Sequence, residues 1–67
     1  MTYDFDTITG WHDVEGTLRA GLMGVESEDG KVRDWVWTDS VVDMEVDLYG
    51  KVLAIATITG DVYRRRS

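Results

Sequence analysis

The chain predicts a mainly β fold, with α+β allowed: a small antiparallel β-meander or partly open small barrel of about five strands, with at most one short helix in the N-terminal third. Three observations lead there. Val42, Met44, Val46 and Leu48 alternate strictly with Asp43, Glu45 and Asp47, the period of two that a half-buried strand requires. Asp29-Gly30, Tyr49-Gly50 and Gly60-Asp61 each stand between apolar runs, and such pairs supply the positive φ of tight hairpin turns. Proline, linker-like tracts and low-complexity segments are all absent, so residues 1–67 read as a single domain.

The N-terminal third carries two patterns. Tyr3, Phe5 and Thr7 alternate with Asp4, Asp6 and Ile8 as an edge strand would, whereas Ile8, Trp11, Glu15, Leu18 and Leu22 fall near helical spacing. Glycines at 10, 16, 21 and 24 argue against a long helix, because each costs about 1 kcal/mol relative to Ala in a helix interior. A short helix or turn around 10–16 is the most this segment should hold.

Strands are then expected near 17–28, 31–38, 41–49, 51–59 and 62–66. With Asp29-Gly30 as a two-residue loop, Glu28 faces Lys31, Glu26 faces Arg33, Gly24 faces Trp35 and Leu22 faces Trp37. This register matches opposite charges and covers each indole. A tight Gly60-Asp61 loop likewise sets Ile58 against Tyr63 and Ala56 against Arg65. In the strand 41–49, Val42, Met44 and Val46 should be buried and the three acids exposed.

Sixty-seven residues bury only about 60% of the surface of the unfolded chain, so the stability margin is thin and a homodimer would help. With no Cys there is neither a disulfide staple nor a thiolate metal site, and a reducing cytoplasm is the expected location. No stretch approaches the ~20 apolar residues of a membrane span, and the N-terminus is acidic where a signal peptide would be basic. A soluble, unprocessed protein with no membrane partner is expected.

Thirteen acids against seven Lys and Arg give a net charge of −6, and three of the cations are Arg64, Arg65 and Arg66. A body this negative repels phosphate, which disfavours direct nucleic-acid binding and favours a basic protein partner. Nine Asp to four Glu, with two Lys, also suits a halophile.

His12-Asp13-x-Glu15 is the one place where an imidazole meets carboxylates. A lone His without Cys supplies neither a zinc set nor a converging nucleophile, so no metal, cofactor or enzymatic activity is expected. Ser27, Ser40 and Ser67 lie in no nucleophile-elbow setting, and the scattered glycines form no phosphate cradle. Trp35 and Trp37 are expected first as core and second as partner contacts.

The acidic row carries two readings. It is either a solvated sheet face that keeps the edge unpaired, or a row of carboxylates about 7 Å apart that imitates nucleic-acid phosphates. On the second reading Asp43, Glu45 and Asp47 bind the partner, with Trp37 and Tyr49 as anchors. The expected function is a small non-enzymatic inhibitor that occupies a basic, nucleic-acid-binding surface. It would be similar in kind to phage anti-defence proteins such as CRISPR inhibitors. The alternative is a structural or oligomeric β-domain of a halophile or phage particle, whose acidity serves solubility.

Overall fold

Turns organise this chain. At Glu15-Gly16 both residues have positive φ, 51° and 81°, the mirror-image two-residue turn that suits strand twist. It joins Thr7–Val14 to Thr17–Met23, with Val14 opposite Thr17. The segment 10–16 is therefore strand and turn rather than helix.

The other three hairpins repeat one design. Residues 28–30, 48–50 and 58–60 are three-residue loops ending on a left-handed glycine, with φ of 79°, 81° and 88°. The glycine N–H donates to the carbonyl of Ser27, Asp47 or Thr57 at 2.9, 3.1 and 3.0 Å, and the N–H of that same residue donates to the carbonyl of Lys31, Lys51 or Asp61 at 2.9 Å each. A glycine able to take the left-handed position as the third loop residue explains the preference for three residues over two. The registers move accordingly. Glu26 pairs with Val32, Leu22 with Val36 and Gly21 with Trp37 in the first of these hairpins. In the last, Ile55 pairs with Tyr63 and Ala54 with Arg64. The expected pairs Glu26–Arg33, Leu22–Trp37, Ile58–Tyr63 and Ala56–Arg65 are replaced.

A computed structural model describes residues 1–66, and it is all β with no helix among them. Nine short strands follow in order: β1 (Thr2–Phe5), β2 (Thr7–Val14), β3 (Thr17–Met23), β4 (Val25–Glu26), β5 (Val32–Arg33), β6 (Val36–Trp37), β7 (Val41–Val46), β8 (Val52–Thr57) and β9 (Val62–Arg65). They form a four-stranded sheet β1-β9-β8-β7, a three-stranded sheet β2-β3-β6 and the pair β4-β5. The run 1–14 bends at Asp6 and so serves two sheets, β1 pairing with β9 and β2 with β3. All described pairings are antiparallel except β1–β9, which is parallel and brings Tyr3 beside Tyr63. The meander stays open because β6 and β7 are not paired.

Phe5, Ala20, Leu22, Val25 and Ile55 form the buried core, with Tyr3, Ile8, Val36, Val41, Val52 and Tyr63 packed around it. Thr38 is buried among them and satisfied, its Oγ accepting from the Ala20 N–H at 3.0 Å and donating to the Asp39 carbonyl at 2.8 Å. Arg65 lies over the Phe5 ring at 5.5 Å and donates to the carbonyls of Val52 and Asp6. Two of the three terminal arginines, Arg65 and Arg66, thus bond back onto the sheets rather than forming a free basic tail.

Two expected burials fail. Val42, Met44 and Val46 are 60%, 38% and 50% exposed. Strand β7 is a sheet edge that reaches the core through Val41, and bulges at Val42 and opposite Val46 break the register. Trp35 and Trp37 also stay outside the core at 48% and 37% exposure. They pack over the bare backbone of Gly21, where a Cβ would lie 3.2 Å from Trp37 Cζ3 and 3.4 Å from Trp35 Nε1.

Candidate partner-binding surfaces

The register of the four-stranded sheet sorts its side chains by face. Asp43 pairs with Ala56, Ala56 with Val62 and Val62 with Thr2; Glu45 pairs with Ala54, Ala54 with Arg64 and Arg64 with Asp4. Paired residues share a face and faces alternate along each strand, so Asp43 and Glu45 stand together on the outer face. Beside them, Ala54, Ala56 and Val62 floor a shallow depression of about 140 Å³. Met44, Ile55, Tyr63 and Tyr3 make the intervening row on the opposite face.

The acidic row is shorter than the sequence implies. Asp43 and Glu45 are exposed, although one Asp43 oxygen accepts the Met44 N–H at 2.8 Å. Asp47 has left the row. Its Oδ1 accepts the N–H groups of Tyr49 and Lys51 at 2.8 and 2.9 Å, which closes the hairpin loop. Tyr49 is 93% exposed at the tip of that loop. Trp37 lines a different cavity, one to which none of the three acids contributes.

That second cavity, an open groove of about 560 Å³, is the larger concavity, and reading the sequence missed most of it. Tyr3 and Tyr63 stack in one wall, with centroids 5.3 Å apart and planes at 26°. Trp37 and Val36 supply the other wall, and the β4–β5 hairpin brings Glu28, Asp29 and Arg33 to the rim. The Tyr3 hydroxyl donates to Glu28 Oε1 at 3.2 Å. Trp37 is braced from outside by Trp35 in an edge-to-face contact at 5.0 Å, and Trp35 Nε1 donates to Thr9 Oγ1 at 2.9 Å. Tyr3 and Tyr63 converge only through the parallel β1–β9 pair, which no local pattern announces.

The groove is electronegative. Burial, then the hydrogen bond and charge of Glu28 and the charge of Asp61, raise the Tyr3 hydroxyl above its usual pKa of 10.0. Burial also raises Tyr63, with Asp61, Tyr3 and Asp39 adding to it. Among the described residues the ion pairs are the N-terminal amine with Asp61 and Arg66 with Asp6 and Glu26. Asp43, Glu45, Glu28 and Asp29 are in none of these.

His12 is exposed, 5.2 Å from the Trp37 ring and opposite Arg19 in the β2–β3 register. No three His, Asp or Glu side chains converge as a metal site among the described residues. Among the described residues no helix is long and apolar enough to cross a membrane. Set against protein-family models, curated proteins and solved structures, the chain matches none of them.

Proposed function

We propose that the protein is a non-catalytic acidic binding domain that occupies a basic surface of a partner protein. The observation that supports this best is the outer face of β7, where Asp43 and Glu45 sit side by side on a sheet edge with no cation paired to them among the described residues. Unpaired exposed carboxylates on a rigid strand are already solvated. They gain by meeting Lys and Arg, and they steer a basic partner during encounter. The same charge opposes self-association along this edge, because a second β7 would bring carboxylate against carboxylate. The finer reading is inhibition: the carboxylates take the place of nucleic-acid phosphates on an effector's positive surface, as a cytoplasmic phage anti-defence protein of the CRISPR-inhibitor kind would do.

A structural or oligomeric role is the second reading, favoured by the small core and by Leu48, Tyr49 and Val42, which are 99%, 93% and 60% exposed. Salt separates the two. Capture of a basic partner weakens steeply as ionic strength rises, whereas a halophilic assembly domain gains stability in molar salt. The direct test is the double variant Asp43→Lys/Glu45→Lys, checked for folding and used as bait in extracts of the source cells at low salt. Loss of the salt-elutable partner supports capture by this face, and unchanged capture refutes it.

A further inference from the structure

We infer that the groove between β1/β9 and the β4–β5 hairpin is a separate binding site for an arginine side chain carried on an extended basic segment, the guanidinium entering between the Tyr63 and Trp37 walls and stacking on their rings, with Glu28 as its counter-ion. This goes beyond the reading of β7, because the Tyr3 and Tyr63 side chains belong to the opposite face of that sheet.

The chemistry of the lining selects the ligand. Tyr3, Tyr63 and Trp37 line the groove, and the face of an aromatic ring attracts a cation within about 6 Å of its centroid. Glu28 and Asp29 stand at the rim with Arg33 as the single lining cation, and Asp61 and Asp39 act on the Tyr63 hydroxyl. An anionic ligand would meet this field head-on. A purely apolar one would strip water from the rim carboxylates and return nothing to them. The Tyr3 hydroxyl holds Glu28 through Oε1, so Oε2 remains to accept from an incoming donor.

Shape selects the kind of molecule. A small-ligand pocket encloses most of its guest, whereas this groove is open along one side and suits a side chain presented from a backbone lying across it. Arginine fits better than lysine because its planar guanidinium stacks on rings and donates to a carboxylate in the same pose.

The test uses the whole protein, isotopically labelled, with the peptide acetyl-Gly-Arg-Gly-Arg-Gly-amide as probe and its citrulline and lysine counterparts as controls, at about 0.15 M salt where long-range charge is screened. The arginine peptide should shift the Trp37 indole N–H and the amides of Tyr3, Glu28 and Tyr63 in one saturable curve. Glu28→Gln, which keeps an acceptor for Tyr3, should weaken this about fivefold. Tyr63→Leu should weaken it about two- to fivefold. Asp43→Lys/Glu45→Lys should leave the groove shifts in place, so this site and the β7 reading stand or fall separately. Equal binding of the citrulline or lysine peptide, shifts confined to β7, or no saturable shift at millimolar peptide would each overturn the assignment.

Discussion

Arg66 donates to the carboxylate of Asp6 at 2.6 Å across 60 residues of sequence. The same guanidinium reaches Glu26 at 3.3 Å and the Gly24 carbonyl at 3.4 Å, and the Arg66 N–H donates to the Phe5 carbonyl at 2.7 Å. One side chain therefore ties the bend between β1 and β2 to β4 and to the end of β9. The Asp6 hydrogen bond is the main cause holding the Arg66 pKa above its usual value, against opposing desolvation.

Arg66→Gln keeps an unbranched polar side chain, though a shorter one, and loses this charge. It should lower the melting temperature at low salt, and the gap from the wild type should narrow in about 1 M salt, where the Debye length is about 3 Å. Equal melting at low salt would mean the clasp is ornamental.

Gly21 makes room for the indoles. An added Cβ would stand 2.6 Å from Thr9 Oγ1 as well as close to Trp37 and Trp35. Gly21→Ala should cost about 1–3 kcal/mol, the usual range for overpacking. Adding Thr9→Ala should recover part of it, because the shortest clash is then gone. Denaturant melts of the single and double variants check this, and a neutral Gly21→Ala would refute the close approach.

These residues also mark how far the sequence could be read. The alternation in 41–46 correctly signalled a strand, since period two is a local property of the backbone. It could not say which positions are covered, because that depends on the packing of the other sheet, and Val42 and Val46 stay largely exposed. Gly30 and Gly60 correctly signalled turns, yet loop length depended on which loop position adopts the left-handed conformation, and the register moved with it. Asp47 fits the acidic row by residue type, while its hydrogen bonds make it part of the turn. Tyr3 and Tyr63 meet through a parallel pairing of the two ends of the chain, which leaves no mark in either segment alone. The groove is hidden from the sequence for that reason, and of its aromatic lining Trp37 alone is a sequence-predicted contact.

Two pH limits follow from the groove and its hairpin. The Ser27 hydroxyl, then the Lys31 N–H, hold the Asp29 carboxyl below its usual range. A carboxyl whose folded pKa lies below its unfolded value of about 3.9 stabilises the fold above that value, and the contribution is lost as pH falls through the folded pKa. The β4–β5 hairpin should therefore loosen first in acid, and Ser27→Ala should blunt that loss. Tyr3 and Tyr63 behave oppositely. Their folded pKa values lie above 10.0, so the stabilisation from keeping these phenols neutral is complete below pH 10 and drains away as pH rises from there to the folded values. Melting temperature should drop above about pH 10, and Tyr63→Phe should flatten the drop. A flat alkaline profile in the wild type would contradict the desolvated wall.

The acids of the 43–47 segment should separate into two functions when each is altered alone. Asp47→Ala removes the acceptor for the Tyr49 and Lys51 N–H groups and should cost about 1 kcal/mol, because those donors turn to water at an exposed loop. Asp47→Asn retains a carbonyl oxygen in the same place and should restore most of the stability. Asp43→Asn and Glu45→Gln, on the exposed outer face, should each change stability by no more than about 0.5 kcal/mol. Binding should show the reverse order: the exposed pair governs capture of a basic partner and its salt dependence, while Asp47→Asn leaves capture nearly unchanged. Urea melts and a salt-gradient pull-down on the same four variants read both properties. If Asp47→Asn weakens capture as much as the Asp43 and Glu45 changes do, the turn carboxylate is part of the binding row after all, and the division drawn from its hydrogen bonds is wrong.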